Sequence, residues 1–397
     1  MLKINSNFLV YFYNRIFVEN YCFLIIQTYL IIELKYLITH IKYFAYIDYM
    51  VRTIYLDNIK SNAKAIKQKS KTKLCAVVKC NAYGHGIKQV AKSIKNIVDC
   101  FAISNLDEAK ELKKIDIHNP IINIGTFVPQ QLDNIIKLKI IQTIHNLDDL
   151  KYIYNYTNTN QSNINIDINI NSGFNRLGLN LEECKVAIKL LFNNQYIKLH
   201  GIYTHFCDYS DKKFCKMQYD YFRKCAIVFD VLQPILHCIS SNGLNEYQHY
   251  NLDMVRCGIA LYGFNDGLMQ AMQISSKIIQ INFVTKGQRV GYNNHTVNND
   301  CVIATVQGGY GQGLLRGFYK HVIVNNNICP IIGDVCMDFF MIDVTAIVNP
   351  KILIGNKVII SNQNLSLEKI AKNAGTIPYQ LLTATNIKGI KTIYIQQ

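Results

Sequence analysis

A lysine that ends an apolar run is the first residue with chemistry to offer. Leu74 to Val78 reads as a short strand, and it runs directly into Lys79-Cys80-Asn81-Ala82-Tyr83-Gly84-His85-Gly86. At the mouth of a barrel, desolvation disfavours the ammonium form of such a side chain and frees an amine for imine formation with an aldehyde. The same position equally suits a charged strand cap. Tyr83 offers a hydroxyl to a phosphate, and Gly84 and Gly86 permit a close turn, although an ordinary strand-to-helix corner uses the same residue types. Further along, Arg176, His205, Ser241 and Arg256 lie within or just beyond other apolar runs. Taken singly, Arg176 fits a surface salt bridge, His205 a satisfied structural imidazole, and the Gly258 to Gly263 segment a simple turn.

Positioning these groups together requires a regular scaffold. From Lys73 onward, short apolar strand candidates recur at Leu74 to Val78, Cys100 to Ile103, Ile121 to Ile124, Ile140 to Thr143, Ile164 to Ile170, Leu199 to Thr204, Leu236 to Ile239 and Met254 to Val255. Longer stretches with helical spacing separate them, as where Leu106, Ala109, Leu112 and Ile115 follow Asn105 with Glu108 and Glu111 turned outward. Eight strands alternating with helices predict an α/β fold, a (β/α)8 barrel over residues 50–270, with its chemistry at the C-terminal strand ends. The pattern changes near residue 271. Lys277 to Val284, Cys301 to Val306, Val322 to Val324, Phe339 to Val344 and Lys357 to Ile360 alternate or carry β-branched residues between Gly, Asn and Pro turns, predicting a mostly β C-terminal domain over 271–397. Asn-rich runs such as Asn155 to Asn163 and Asn325 to Asn327 read as loops.

On this scaffold the string V-V-K-C-N-A-Y-G-H-G resembles the cofactor-lysine motif of the alanine racemase family, whose members join an N-terminal β/α barrel to a C-terminal β domain. The likeness runs from about Arg52 to the C-terminus. It implies pyridoxal 5'-phosphate on Lys79, with Tyr83 on the phosphate. The I-N-I-N-S-G-F-N-R-L-G segment from Ile168 to Gly178 resembles the one whose arginine, here Arg176, bonds the cofactor's phenolic oxygen and also meets substrate. Many members support that arginine with a carbamylated lysine where this chain has Asn169, so the resemblance leaves Arg176 to an amide or to a bound anion. His205, in T-H-F, resembles the histidine that orients the second catalytic base. Ser241 resembles the phosphate-binding serine, with Asn242 and Gly243 replacing the small residues usual beside it. Arg256 resembles the donor to the pyridine nitrogen; an arginine there keeps that nitrogen unprotonated because guanidinium gives up no proton. The backbone amides of Gly258 and Ile259 resemble phosphate donors.

Three C-terminal segments extend the resemblance. Gly309-Tyr310-Gly311-Gln312-Gly313 is similar to a G-Y-A-D-G loop. Gly333-Asp334-Val335-Cys336-Met337-Asp338 is similar to the segment whose Met backbone, here Met337, meets the substrate carboxylate across a homodimer interface. Pro378-Tyr379-Gln380 is similar to P-Y-E, which implies that Tyr379 reaches the phosphate. The implied reaction interconverts L-alanine and D-alanine, in a bacterial cytosol and for peptidoglycan synthesis, with active sites completed in trans. It needs a proton carrier on each face. Lys79 resembles one. The other is a tyrosine in the family, and its position in G-Y-G-x-x-Y falls here on Thr296, which has no useful pKa near neutrality. Tyr292, which matches the earlier tyrosine of the motif, and His295, beside Thr296, are the candidate substitutes, and His295 is preferred because imidazole ordinarily titrates near neutral pH.

Composition bounds the alternatives. The chain has 397 residues, 50% of them hydrophobic and 17% charged, which excludes a disordered charged tail and fits a soluble enzyme of two domains. The formal charge of +15 draws anions of many kinds, yet no helix-turn-helix, zinc finger or stacked aromatic-basic motif points to nucleic acid. Thirteen dispersed cysteines without a C-x-x-C pair suit a reducing compartment, and no metal-site spacing is present. Residues 1–49, rich in Ile, Leu, Tyr and Phe, fall outside the resemblance. Their longest uncharged stretch, Asn20 to Ile32, is short for a membrane span, so they read as an incorrectly translated upstream stretch before Met50 or a membrane-associated extension. The competing functions are a related pyridoxal-phosphate racemase or decarboxylase, and a weakly active or non-catalytic carrier of the cofactor.

Overall fold

The first strand of the described chain belongs to the last sheet. The computed structural model describes residues 50–347, 352–386 and 390–396; the extension 1–49 lies outside them. Strand β1 (Val51–Tyr55) pairs antiparallel with a strand that begins at Met272 and parallel with one near the C-terminus. The helix Leu56–Ser70 then carries the chain into the barrel. The sequence gives β1 little local signature; its partners lie more than 200 residues away.

The barrel strands are β2 (Lys73–Val77), β3 (Cys100–Ile103), β4 (Ile121–Asn123), β5 (Ile141–Ile144), β6 (Ile164–Asn169), β7 (Ile197–Tyr203), β8 (Ile235–His237) and β9 (Met254–Cys257). They form an eight-stranded sheet in the order β8-β7-β6-β5-β4-β3-β2-β9, with neighbouring strands parallel. The ring closes where Ser240 bridges Arg256, with the Asp253 and Arg256 amides donating to Leu236 and Ile239 carbonyls. The predicted eight-strand α/β barrel is therefore the observed one. Strands covered on both faces read as short apolar runs because one face meets the helices and the other the barrel interior.

Asparagine starts several of the helices. Asn105, Asn146 and Asn180 accept the Glu108, Asp149 and Glu183 amides at 2.8–3.0 Å, and Glu183 returns a bond to the Asn180 amide. The run Asn155 to Asn163, expected as a loop, is helical through Asn160. Leu150, Ile153 and Thr157 bury one face there, and Thr157, Thr159 and Asn160 bond carbonyls four residues back, so the polar side chains ride on the helix rather than ending it. At Asn325 and Asn326 the loop reading holds: both have positive φ, the two-residue hairpin turn that asparagine tolerates.

The remaining strands are β10 (Met272–Val284), β11 (Arg289–Val290), β12 (His295–Thr296), β13 (Cys301–Gln307), β14 (His321–Val324), β15 (Asn327–Ile332), β16 (Phe339–Asp343), β17 (Lys357–Ser361) and β18 (Lys391–Ile395). The order β13-β16-β15-β14-β17-β10-β1-β18, with a further β13–β10 pairing, closes six strands into a ring and leaves β1 and β18 attached at β10. The 13-residue β10 permits this, since its first half pairs with β1 and β17 and its second half with β13. One hydrophobic cluster runs through both the barrel and this β region. A helix from the β region, Pro378–Ala384, reaches the barrel mouth.

Candidate active site

After β2 the chain does not enter an ordinary helix. Cys80, Asn81, Ala82 and Tyr83 all have φ between 52° and 54°, one left-handed turn made without glycine. Such residues cost roughly 1–2 kcal/mol each relative to right-handed geometry, so the surroundings must hold them. They do so through Ala82 N–H to Val78 O (2.8 Å), Gly84 N–H to Cys80 O (3.0 Å) and Gly86 N–H to Asn81 O (2.9 Å). Asn81 accepts the Ile87 amide and donates to Asn386 of the β region. Glu108 accepts the Cys80 and Ser104 amides. Its expected outward orientation is thus corrected: only Glu111 faces out, paired with Lys88 and Lys114. Gly84 and Gly86 have positive φ, and a Cβ on them would strike Leu382 O at 2.7 Å and Tyr394 Oη at 2.0 Å, so this corner is also where barrel and β region close on each other.

The turn delivers Lys79 and Tyr83 into a cavity of about 670 Å³ at the barrel mouth. Its wall also contains Arg176, His205, Ser241, Arg256, Gly258, Ile259 and Tyr379. Nine sequence-derived candidates from widely spaced segments therefore share one space. Lys79, Arg176 and Arg256 place three cations in it, and Asp208 is the lone carboxylate among the lining residues, so the cavity favours an anion.

One end of the cavity has the shape of a phosphate cradle. The Tyr83 ring lies between those of Tyr262 (5.1 Å) and Tyr379 (5.7 Å). Burial raises the Tyr83 and Tyr379 phenols, the latter to about 12, so both remain neutral O–H donors. Ser241 Oγ accepts the Gly258 amide at 3.0 Å and the Ala260 amide at 3.2 Å. Between them, the Ile259 amide has no acceptor among the described residues. A Cβ on Gly258 would fall 2.5 Å from Tyr83 Oη, so the glycine opens this cradle.

At the other end, Arg256 is buried and its donors are aimed by backbone: Nη2 reaches Thr204 O (2.7 Å), and Nη1 reaches His237 O (3.0 Å) and His237 Nδ1 (2.8 Å). The guanidinium lies 4.6 Å over the Tyr203 ring. Nearby His205 is pushed down to about 3 by burial, then by the Arg256, Arg176 and Lys79 charges, so it is a neutral imidazole. Arg176 is exposed and stacks over Phe174 at 4.2 Å. The Asn169 amide does not hold that guanidinium; it donates to Leu177 O (3.1 Å), steadying the loop that bears Arg176.

His295, Thr296 and Met337 are not among the cavity-lining residues. His295 and Thr296 form the exposed return strand of the β11–β12 hairpin. Met337 is 55% exposed, clamped by the Tyr310 and Gly311 amides bonding Cys336 O and Met337 O. Asp334, in the same segment, takes Asn293 of the hairpin and Arg316 (2.6 Å), so the hairpin and the Met337 segment are tied into one surface.

Sequence reasoning passed over Asp167, fully buried in β6. Its signal was alternation: Asn165, Asp167 and Asn169 share one face of I-N-I-D-I-N, and in a barrel whose Ile residues lie under helices that polar face points elsewhere.

Comparison with known proteins agrees with this geometry. The model described as alanine racemase, N-terminal domain, matches residues 54–266, and that described as alanine racemase, C-terminal domain, matches 271–393. The chain is 31% identical to "Alanine racemase 1" of Caldanaerobacter subterraneus subsp. tengcongensis over 83% of its own length and 91% of that protein. It is 35% identical to the alanine racemase of Vesicomyosocius okutanii over 82% and 93%. Among solved structures, the alanine racemase of Clostridium difficile 630 superposes with a TM-score of 0.81 at 30% identity, covering 87% of this chain and 95% of that one. The Bacillus anthracis alanine racemase with bound L-Ala-P gives 0.79 at 28% identity, covering 88% and 95%.

Proposed function

The chain belongs to the alanine racemase family and is an isomerase that interconverts L- and D-alanine; from that premise we propose that pyridoxal phosphate is held on Lys79 at the barrel mouth. The observation that carries this reading is the meeting of Lys79, Tyr83, Arg176, His205, Ser241, Arg256 and Tyr379 in one cavity. The residues fit the group: the Gly258 opening beside Tyr83, the unpaired Ile259 amide and two neutral phenols suit a phosphate, and Arg256 suits a ring nitrogen that stays unprotonated. When bound, pyridoxal phosphate supplies the electron-withdrawing ring that acidifies the α-proton of alanine.

The chain's own residues do the rest. Lys79 Nζ would anchor the cofactor and carry the proton on one face. Tyr83, Tyr379, Ser241 and the Ile259 amide would hold the phosphate, while Gly258, whose own amide is taken by Ser241 Oγ, leaves it room. Arg256 fixes the ring, and Arg176 meets the phenolic oxygen and the substrate carboxylate. Neutral His205 orients the second proton carrier. That carrier is His295 of the partner subunit rather than Thr296, because an imidazole can both take and give a proton whereas a threonine hydroxyl is no general acid or base. Met337 of the partner subunit meets the substrate carboxylate, and the tied hairpin and Met337 segment support delivery of both in one piece.

The working protein in this reading is a cytoplasmic homodimer supplying D-alanine for peptidoglycan, with residues 50–270, less the strand β1 that joins the β region's sheet, and 271–397 as its two domains. Purified protein loaded with pyridoxal phosphate should show a visible imine absorption band that borohydride abolishes, leaving a label on Lys79. Turnover of each alanine enantiomer, followed by circular dichroism, should disappear in Lys79→Ala. A label elsewhere, or turnover without Lys79, overturns the assignment.

A further inference from the structure

Arg256 carries a buried positive charge, and among the described residues no carboxylate is paired with it. A buried cation without a counter-charge is costly, so where its balance comes from is a physical question. The answer lies one residue away. Arginine can only donate hydrogen bonds, so the 2.8 Å contact from Nη1 makes His237 Nδ1 the acceptor and leaves it without a proton. A neutral His237 must then carry its proton on Nε2. Nε2 has no hydrogen-bond partner, nor has Asp167 Oδ2, and these two buried atoms face each other at 3.6 Å. Both side chains are fully buried.

The carboxylate is held from its other side as well. Asp167 Oδ1 takes His200 Nδ1 at 2.7 Å. Burial alone would raise the Asp167 carboxyl, but the His200 hydrogen bond and the adjoining His237 imidazole outweigh it and leave it at about 2, so it is ionised. Burial lowers His237 to about 4, with Asp167 opposing and Arg256 adding to the shift. Gly201 makes room for the pair: a Cβ there would come within 3.1 Å of Asp167 Oδ1 and 3.3 Å of His237 Nε2.

We propose that Asp167 is a positioning residue, acting through the Nε2–H tautomer of His237 to fix the aim of Arg256 at the cofactor ring nitrogen. Every polarity in the row is then set: Arg256 donates to His237, His200 donates to Asp167, and the His237 Nε2–H faces the Asp167 carboxylate across 3.6 Å, an electrostatic contact rather than a hydrogen bond. The proposal rests on the cofactor assignment for its effect on catalysis, but its hydrogen-bond pattern belongs to the protein alone.

The test therefore begins without cofactor. Nitrogen-15 NMR of histidine-labelled protein, with His237 assigned by His237→Asn, should show the Nε2–H tautomer at neutral pH in cofactor-free and loaded protein alike. Asp167→Asn, which keeps shape and removes charge, should still give the borohydride label on Lys79. It should shift the bound cofactor's absorption band and lower kcat at least about tenfold, with the alanine KM within about threefold. In a His237→Asn background the Asp167→Asn change should have no further effect. A proton on Nδ1 of His237, an unchanged band and kcat in Asp167→Asn, or an equal loss in the His237→Asn background would each overturn the proposal. If Asp167→Asn fails to fold, the tautomer in the native protein decides alone. Absence of the Lys79 label in native protein would instead overturn the cofactor assignment and leave the tautomer result standing.

Discussion

Tyr83 Oη occupies the space that a side chain on residue 258 would need, 2.5 Å from an ideal Cβ there. Because Tyr83 is buried and flanked by the rings of Tyr262 and Tyr379, it has little room to retreat. The Gly258 φ of −112° is not left-handed, so the conflict of an added Cβ with Tyr83 Oη is the principal effect expected of Gly258→Ala. We expect pyridoxal phosphate affinity to fall about tenfold, ~1.4 kcal/mol, and the cofactor-free protein to lose about 1–3 kcal/mol of stability as Tyr83 is displaced. Absorbance titration of both proteins checks this; equal affinities would show that the cradle is not where phosphate binds.

The left-handed turn after β2 depends on a carboxylate. Glu108 accepts the Cys80 and Ser104 amides, joining the lysine-bearing turn to the next barrel loop. Glu108→Ala should destabilise the protein by about 1–3 kcal/mol, the cost of leaving such donors short of an acceptor. Because the turn aims Lys79, imine formation should also slow. Urea unfolding and stopped-flow absorbance on adding pyridoxal phosphate separate the two effects; native imine kinetics would show that Lys79 is aimed by other contacts.

Stability should fall as acid is added well before any carboxylate is neutralised. Burial lowers His85 and His205 to about 3 and His237 to about 4, against 6.5 for an exposed imidazole. Between pH 6.5 and 4 the unfolded chain binds these protons and the folded chain does not, so unfolding takes up about three protons and stability drops as pH falls. The slope approaches roughly 4 kcal/mol per pH unit near pH 5. Asp167, depressed to about 2, adds its own loss only below about pH 3.8. Denaturation midpoints from pH 8 to 4.5 measure this, and a flat profile down to pH 5 would contradict burial of these three rings.

What the sequence conveyed divides by range. Barrel strands and the Lys79, Ser241 and Arg256 motifs are local, written in apolar runs and in fixed intervals between chemical groups. Strand β1 was not legible, because pairing with β10 and β18 is decided by residues far along the chain rather than by V-R-T-I-Y itself. Glu108 misled because a helix-face argument ignores the amides of a neighbouring turn, and Asn155 to Asn160 misled because composition outweighed the buried Leu150, Ile153 and Thr157 stripe. Asp167 needed knowledge of which strand face lines the barrel. The second proton carrier belongs to a different class, since its hairpin is exposed in the single chain and the cavity is described without it.

That hairpin yields the sharpest chemical test. Val290 pairs with His295 and Arg289 with Thr296, so the two candidate residues point to opposite sides of a two-residue strand and cannot serve interchangeably. With His295 as the carrier, His295→Ala in deuterated water should keep α-proton exchange from one alanine enantiomer, the one served by Lys79. Exchange from the other should drop by about 10²- to 10⁴-fold, the usual worth of a positioned acid–base group. Racemisation, which needs both faces, should fall with the slower exchange. Rapid exchange from both enantiomers in His295→Ala would remove the imidazole from the mechanism, while loss from both would assign it a role in assembling the site rather than in carrying a proton.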